Sequence, residues 1–468
     1  MGLTPRVVAA AIAVLCASGA AAQMPPATTP VRVETGAGTL EGDDRGGVLV
    51  FQGVPYAAPP VGDLRWAPPQ PVRPWIGVRT ATAAEPACTQ PVDPDYKTAN
   101  GGGVTGAQSE DCLYLQVHAP KDAQKAPVVV WFHGGAFFLG AGSLGSYDGT
   151  SNARNGVITV SVNYRLGALG GFAHPALLRA AKGKPVGNYA LMDAVAALGW
   201  VRANIAAFGG DPANVTIAGQ SAGGGIVTGL LSMPSTRGLY HKAIIQSGAL
   251  LYPDRDPGKV AAQAVETLKS LGIGEYVKLP ALRSLSAQTL ASRDPLRRGW
   301  FFIKDPVGKP LALVEALEAG REVDVPVLVG ANAGEPGFAN ARRIAQLAGD
   351  EGAPAYLYRF DYVPRFRAGE WTRGPIHSAE LMFTFASIDT SSWGGARADA
   401  DDRAMAAAIN GCWTAFYRMP AGERGFACPS GYRFEPFGTA GTATRFGQDG
   451  PETIDARALP DGPPRPAQ

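Results

Sequence analysis

An excess of charge of either sign is what this sequence most plainly lacks. Its 42 basic and 40 acidic residues leave a formal net charge of +2, and no run of like charges stands out. That balance argues against a nucleic-acid partner or a charged membrane surface, both of which call for a basic patch. Histidine is scarce, with 5 in 468 residues, and none stands at ligand spacing beside a cysteine, so no metal site is indicated. After the N-terminus no apolar run is long enough to be read as a membrane-spanning helix, so stable membrane insertion is not expected. No internal repeat is visible. What the chain does have is length and apolar residues, 46% of the total, enough for a large buried core. Its 60 glycines and 39 prolines sit in short, turn-like clusters, as in a loop-rich globular chain rather than a disordered one.

The first segment reads as an address. Arg6 precedes the apolar run Val7 to Ala17, and Ala20-Ala21-Ala22 offers a small-residue cleavage site before Gln23. Residues 1–22 are therefore expected to be a secretory signal peptide, with the mature protein secreted or periplasmic. Lipidation at Cys16 is disfavoured by the bulk of Leu15 beside it. Removing the segment leaves Cys88, Cys112, Cys412 and Cys428, an even number that suggests two disulfides in an exported chain. Pairing Cys88 with Cys112 and Cys412 with Cys428 closes the shortest loops. Two other connectivities, or four buried thiols, remain open at this point.

Along the chain, residues 31–34 and 38–40 look like a small hairpin. Cys112 to His118 alternates as a strand does. Pro127 to Phe132 and Val157 to Val162 are short, β-branched and without polar alternation, the pattern of strands buried on both faces. Gly187 to Phe208 follows a helical period through Leu191, Val195, Leu198 and Val201. Strands are expected at 214–218, 242–246, 325–329 and 356–360, with helices at 224–231 and 405–416. This alternation predicts an α/β fold, a mostly parallel sheet covered by helices on both faces. One domain spans about 31–450, with a helical insertion near 254–310 placed to cap a site, and 451–468 is a C-terminal tail.

Gly219-x-Ser221-x-Gly223 lies between a predicted strand and a predicted helix. A sharp strand-to-helix turn exposes a serine hydroxyl, and the glycines permit the bend. A bare match would more often be an inert tight turn; the flanking strand and helix make it informative. A second glycine-rich turn, His133-Gly134-Gly135-Ala136-Phe137, follows the strand ending at Phe132. Backbone amides of Gly135, Ala136 and Ala222 are assigned as oxyanion donors. A serine needs a base. His118 reads as packed in a strand, His174 and His241 as structural or exposed, and His133 as a residue holding its loop. His377 follows the serine at the distance the chain order Ser, acid, His requires. The orienting carboxylate should follow a strand between the two. Glu335, after the strand 325–329, is chosen, with Asp361 as the runner-up.

With these residues in view, the chain resembles the type B carboxylesterase family, which includes cholinesterases and bacterial para-nitrobenzyl esterases. Phe51 to Ala57, with Pro59-Pro60 and Leu64-Arg65-Trp66, is similar to its N-terminal signature. Glu110 to Leu115 is similar to a second, whose cysteine forms a disulfide in many members. Asn163 to Gly167, Phe208 to Pro212, Gly219 to Gly223 and His377 to Leu381 also match. The resemblance implies an α/β-hydrolase fold, a Ser221/Glu335/His377 triad, an ester substrate and no cofactor.

Three departures stand out. Gln220 replaces the usual Glu before the nucleophile, which removes a charge and predicts a less basic His377 than in relatives. The acid sits in Gly334-Glu335-Pro336, where Pro336 restricts Glu335 away from helical geometry. Glu335 and His377 stand only 42 positions apart, far closer than in relatives, and a more open site is expected. Other functions compete with ester hydrolysis. A relative of this fold can be a non-catalytic binding module, a shortened acid-to-histidine segment can leave an impaired enzyme, and the same triad can cleave amides or lactones. Trp300, Phe301 and Phe302 are candidates for apolar lining, though such clusters are more often core.

Overall fold

The runs read as buried strands lie in the middle of one thirteen-stranded sheet. The structure, a computed structural model, describes residues 28–91, 104, 106–249, 251, 253–292, 302–305, 308–350, 352–391, 393–438 and 440–461. The expected signal peptide lies outside the described residues, as do Trp300 and Phe301. In chain order the sheet strands begin with β1 (Thr29–Thr35), β2 (Gly38–Asp44), β3 (Val48–Pro55) and β4 (Val78–Thr80). Next come β5 (Tyr114–Pro120), β6 (Ala126–Phe132), β7 (Ile158–Val162) and β8 (Gly210–Gln220). The last are β9 (Lys242–Gln246), β10 (Val327–Asn332), β11 (Ala355–Phe360), β12 (Thr442–Gly447) and β13 (Gly450–Asp455). Their spatial order is β1-β2-β3-β5-β7-β6-β8-β9-β10-β11-β12-β13, with β4 beside β2. From β7 to β12 every neighbour is parallel; β1, β2, β3 and β5 run antiparallel on one side, and β13 is antiparallel to β12 on the other.

Both faces of the parallel half are dry. Val128, Val130 and Phe132 of β6 enter one core, and Val129 and Trp131 enter the other. Ile217 and Ala218, Ile245 and Ile244, and Val329 and Leu328 divide in the same way. A period of two on a sheet with no solvent face leaves no polar alternation, which is why these strands read as continuous apolar runs. The helices Tyr189–Asn204 and Ala222–Leu231 cover the first face, through Leu191, Ala194, Ile226 and Leu230. Helix Ala400–Arg418 covers the second, through Ile409, Trp413 and Phe416. A buried ion pair ties the first layer together. Asp193 accepts from Arg165 Nε at 2.8 Å and from Nη2 at 2.7 Å, and its side chain is fully enclosed. Such a two-pronged contact satisfies both charges where water cannot.

Two expectations need correction. Tyr189–Phe208 is, at 20 residues and a mean hydropathy of 1.3, long and apolar enough to cross a membrane, contrary to the sequence reading. In this fold its apolar residues pack on the sheet, and Asp193 on the same helix is committed to Arg165. The tail boundary at 450 falls inside sheet structure, because β13 pairs with β12 along its length. The insertion near 254–310 is helical over Pro257–Lys269, Leu279–Arg283 and Ala287–Ser292. Its contacts reach Arg65 and the ring of Phe137. Arg65 Nη1 donates to the carbonyls of Arg283 and Leu285, and Phe302 meets the ring of Phe137 edge-on at 5.7 Å. Cys88 pairs with Cys112 and Cys412 with Cys428, so the shortest-loop connectivity holds.

Candidate active site

Ser221 sits between β8 and the helix Ala222–Leu231, at the C-terminal edge of the sheet, where parallel strands release their loops. Its backbone is at φ 55°, ψ −121°, a conformation that costs a non-glycine residue about 1–3 kcal/mol. The surroundings leave no alternative. A Cβ on Gly223 would stand 1.9 Å from the Phe132 carbonyl, and one on Gly219 would stand 2.4 Å from the Gly223 backbone. Ser221 N donates to the Gln246 carbonyl at 2.8 Å, which fixes the turn to β9. The glycines of the motif are therefore demanded by close approach of backbones, and the serine is pushed out at the crest.

The acid and the base arrive on two loops that touch. Glu335 follows β10 by a short turn and is 7% exposed. His377 lies in the loop that leaves β11 and leads to the short helix Leu381–Thr384. Gly334 N donates to the Pro375 carbonyl at 3.0 Å, and a Cβ on Gly334 would lie 2.6 Å from that same oxygen. This contact brings the side chains together. His377 Nδ1 bonds Glu335 Oε2, and His377 Nε2 lies 2.8 Å from Ser221 Oγ. The other oxygen of Glu335 accepts from Ser247 Oγ at 2.5 Å and from Asn332 N at 2.9 Å. Both carboxylate oxygens are thus engaged, and the imidazole is aimed by its other nitrogen. Burial works against a charged imidazole, but the bond and charge of Glu335, with the charge of Glu380, outweigh it and raise the His377 pKa above 6.5. The His377 side chain is nevertheless 40% exposed.

The second turn places its backbone beside the serine. Gly135, Ala136 and Phe137 all have positive φ, at 114°, 51° and 63°. A Cβ on Gly134 would lie 3.3 Å from Ser221 Cβ, so this loop passes directly over the nucleophile. Ala222 opens the helix that follows Ser221, at its positive dipole end. His133 holds the loop, as expected. Its Nδ1 bonds the Gly134 carbonyl at 2.7 Å, its ring stacks on Tyr164, and Tyr164 Oη donates to the His133 carbonyl. Full burial lowers its pKa to about 4, which keeps the ring neutral. Of the remaining histidines, His118 is buried beside Asp148, His174 caps the helix Pro175–Ala181, and His241 Nδ1 accepts from Val215 N.

Asp361, the runner-up acid, is spoken for: both its oxygens accept from Arg359. Three contributors escaped the sequence reading. Ser247 follows β9, Asn332 ends β10 and Glu380 lies in the matched run His377 to Leu381, where no role was assigned to it. Gln220, singled out as a departure, places its amide nitrogen 3.3 Å from His377 Nε2. Phe302 packs on Phe137 and lies near Gly229, a position between core and entrance. Among the described residues no cluster of histidine, cysteine and acidic side chains could hold a metal ion.

A serine raised on a strand-to-helix turn, at the C-terminal edge of a mostly parallel sheet wrapped by helices, defines an α/β-hydrolase. Within that class, residues 28–343 match the model of the carboxylesterase family, and the chain belongs to that family. It is 33% identical over 451 residues to a fumonisin B1 esterase of Sphingopyxis macrogoltabida, with 82% of this chain and 81% of the relative covered. It is 35% identical over 419 residues to a para-nitrobenzyl esterase of Bacillus subtilis (strain 168), covering 76% of this chain and 83% of the relative. Among solved structures, a PNB esterase superposes with a TM-score of 0.79 at 29% identity, over 92% of this chain and 98% of the other. The chain is a serine carboxylesterase, and its substrates are small-molecule carboxylic esters.

Proposed function

We propose that Ser221, His377 and Glu335 hydrolyse the ester through an acyl-enzyme. The observation that carries this reading is the in-line pair of contacts on one imidazole, Nε2 to Ser221 Oγ at 2.8 Å and Nδ1 to Glu335. His377 takes the proton of Ser221 as the oxygen attacks the ester carbonyl. Glu335 holds the ring in the tautomer whose Nε2 can accept, and stabilises the imidazolium that forms. The amides of Gly135, Ala136 and Ala222 receive the negative charge that develops on the carbonyl oxygen. His377 then gives its proton to the leaving alcohol, and water repeats the cycle to free the acid. The positive φ of Gly135 and Ala136 supports the donor assignment, because left-handed residues turn successive amides toward one point.

The exposed imidazole favours substrates whose bulk extends away from the scissile bond. The relative named a fumonisin B1 esterase makes fumonisin B1 an ester to try. The two disulfides support export to an oxidising compartment after removal of residues 1–22. The test is labelling with a fluorophosphonate probe alongside hydrolysis of para-nitrophenyl esters. Labelling confined to Ser221, and lost with turnover in Ser221→Ala, is the expected result. A normal burst of nitrophenol from Ser221→Ala would refute the assignment.

A further inference from the structure

Behind the triad lies a second carboxyl group that the mechanism above does not use. Glu380 is fully buried, three residues after His377. Its Oε2 accepts from Asn332 Nδ2 at 2.6 Å, and its Oε1 has no protein partner. Asn332 is also fully buried, at the last position of β10. Its Nδ2 donates in addition to the Ile376 carbonyl at 2.8 Å, the residue before His377, and its backbone N donates to Glu335 Oε1 at 2.9 Å. One asparagine thus touches the acid, the backbone of the histidine loop and the second carboxyl.

We propose that Asn332 and Glu380 are positioning residues for His377, Asn332 by clamping the acid and histidine loops together and Glu380 by adding a second negative charge beside the imidazolium. The inference rests on the triad reading and deepens it. A buried carboxylate with one oxygen unpaired is costly to keep unless an opposite charge forms nearby. The imidazolium of the reaction supplies that charge. The titratable groups facing Glu380 are Glu335, His377, Tyr147 and Tyr358. Burial raises both tyrosines far above neutrality, so they stay uncharged. Burial and the charge of Glu335 raise Glu380 to about 7, against the opposing pull of Asn332 and His377. Its ionisation is therefore poised near neutrality. On the other side of the ring, the neutral amide of Gln220 contributes no charge.

The measurement is the pH profile of kcat/KM for a para-nitrophenyl ester, on the full chain and its Glu380→Gln variant. An ionised Glu380 raises the His377 pKa, so removing its charge lowers it. The acid limb of the profile should move to lower pH by about half a unit to one unit, with kcat down roughly three- to tenfold and KM little changed. Glu380→Asp, which keeps the charge, should restore the limb toward its original position. Asn332→Ser removes a donor that favours ionised Glu380, and should move the limb the same way as Glu380→Gln. An unchanged limb in whichever of the Gln and Ser variants folds, with Ser221 still labelled by fluorophosphonate, overturns the proposal. Loss of Ser221 labelling in the unsubstituted protein would instead sink the triad reading itself.

Discussion

Ser221 and His377 are held in place by different means. Around Ser221 the constraint is backbone against backbone: glycines at 219 and 223 where no Cβ fits, and a serine forced to φ 55°. Around His377 the constraint is mostly polar, a mix of side-chain and backbone hydrogen bonds through Ser247, Asn332 and Glu335, with one close backbone contact from Gly334 to Pro375. A steric demand selects one residue type and repeats in every chain that makes the same turn. A polar network can be met by several residue types at several positions. The first kind of site announces itself in sequence and the second does not.

Substitutions can press on each side of that contrast. The largest effect is expected on the polar side. Glu335→Gln leaves the ring without its orienting charge, and kcat should fall by about 10⁴, the cost of the wrong tautomer. Asp361→Asn is its control: that carboxylate is paired with Arg359, and steady-state kinetics should change by no more than about twofold. Next comes the steric side. Gly223→Ala drives a methyl group into the Phe132 carbonyl and should cost about 1–3 kcal/mol or more of stability, read by denaturant unfolding. A Gly223→Ala protein of unchanged stability would erase the distinction drawn here. A milder loss is expected from Ser247→Ala, which removes one of the contacts on Glu335 Oε1 while Asn332 N remains. A drop in kcat of about tenfold is expected, one charge-assisted hydrogen bond at the low end of its range.

The pH dependence of the base separates activity from stability. His377 must be neutral to accept a proton, and its pKa is raised above 6.5. Activity should therefore fall as pH drops through that raised value. The linkage to folding runs the other way. A group whose pKa is raised on folding stabilises the fold fully below 6.5 and loses that contribution as pH rises through the folded value. His133 has the opposite sign: lowered to about 4, it makes the fold less stable as pH falls from about 6.5 toward 4. Combined profiles of activity and unfolding midpoint against pH would resolve the two.

Much of the central sheet was legible because doubly buried strands carry no polar alternation, and β6, β7, β9 and β11 were each found nearly to their ends. The far edge was not. The edge strand β13 exposes Glu452, Thr453 and Asp455 and contains Pro451, and its neighbour β12 carries Arg445 and two threonines. Short, polar and half-solvated, they show neither an apolar run nor clean alternation. The helix at 189–208 was expected as a helix of the fold, but its membrane-compatible length and apolarity were overlooked, a composition that a core helix shares with one in lipid. In the candidate site, the turn singled out Ser221 and chain order singled out His377, while the contacts of Ser247, Asn332 and Glu380 depend on elements that meet only in space.

The joint between Gly334 and Pro375 bears on how the chain finds its form. It brings together residues 42 apart in sequence, while the contact from His377 to Ser221 spans 156. The entropy of closing a flexible loop grows with the logarithm of its length, so the longer closure costs about 1 kcal/mol more. Between Glu335 and His377, the described residues hold the helix Phe338–Asp350, the strand β11 and a short 3-10 turn at Arg365–Arg367, a unit of short-range contacts. Loop closure alone thus favours a folding order in which the proton-handling half of the site assembles as a local unit, and the nucleophile is the part that must find it.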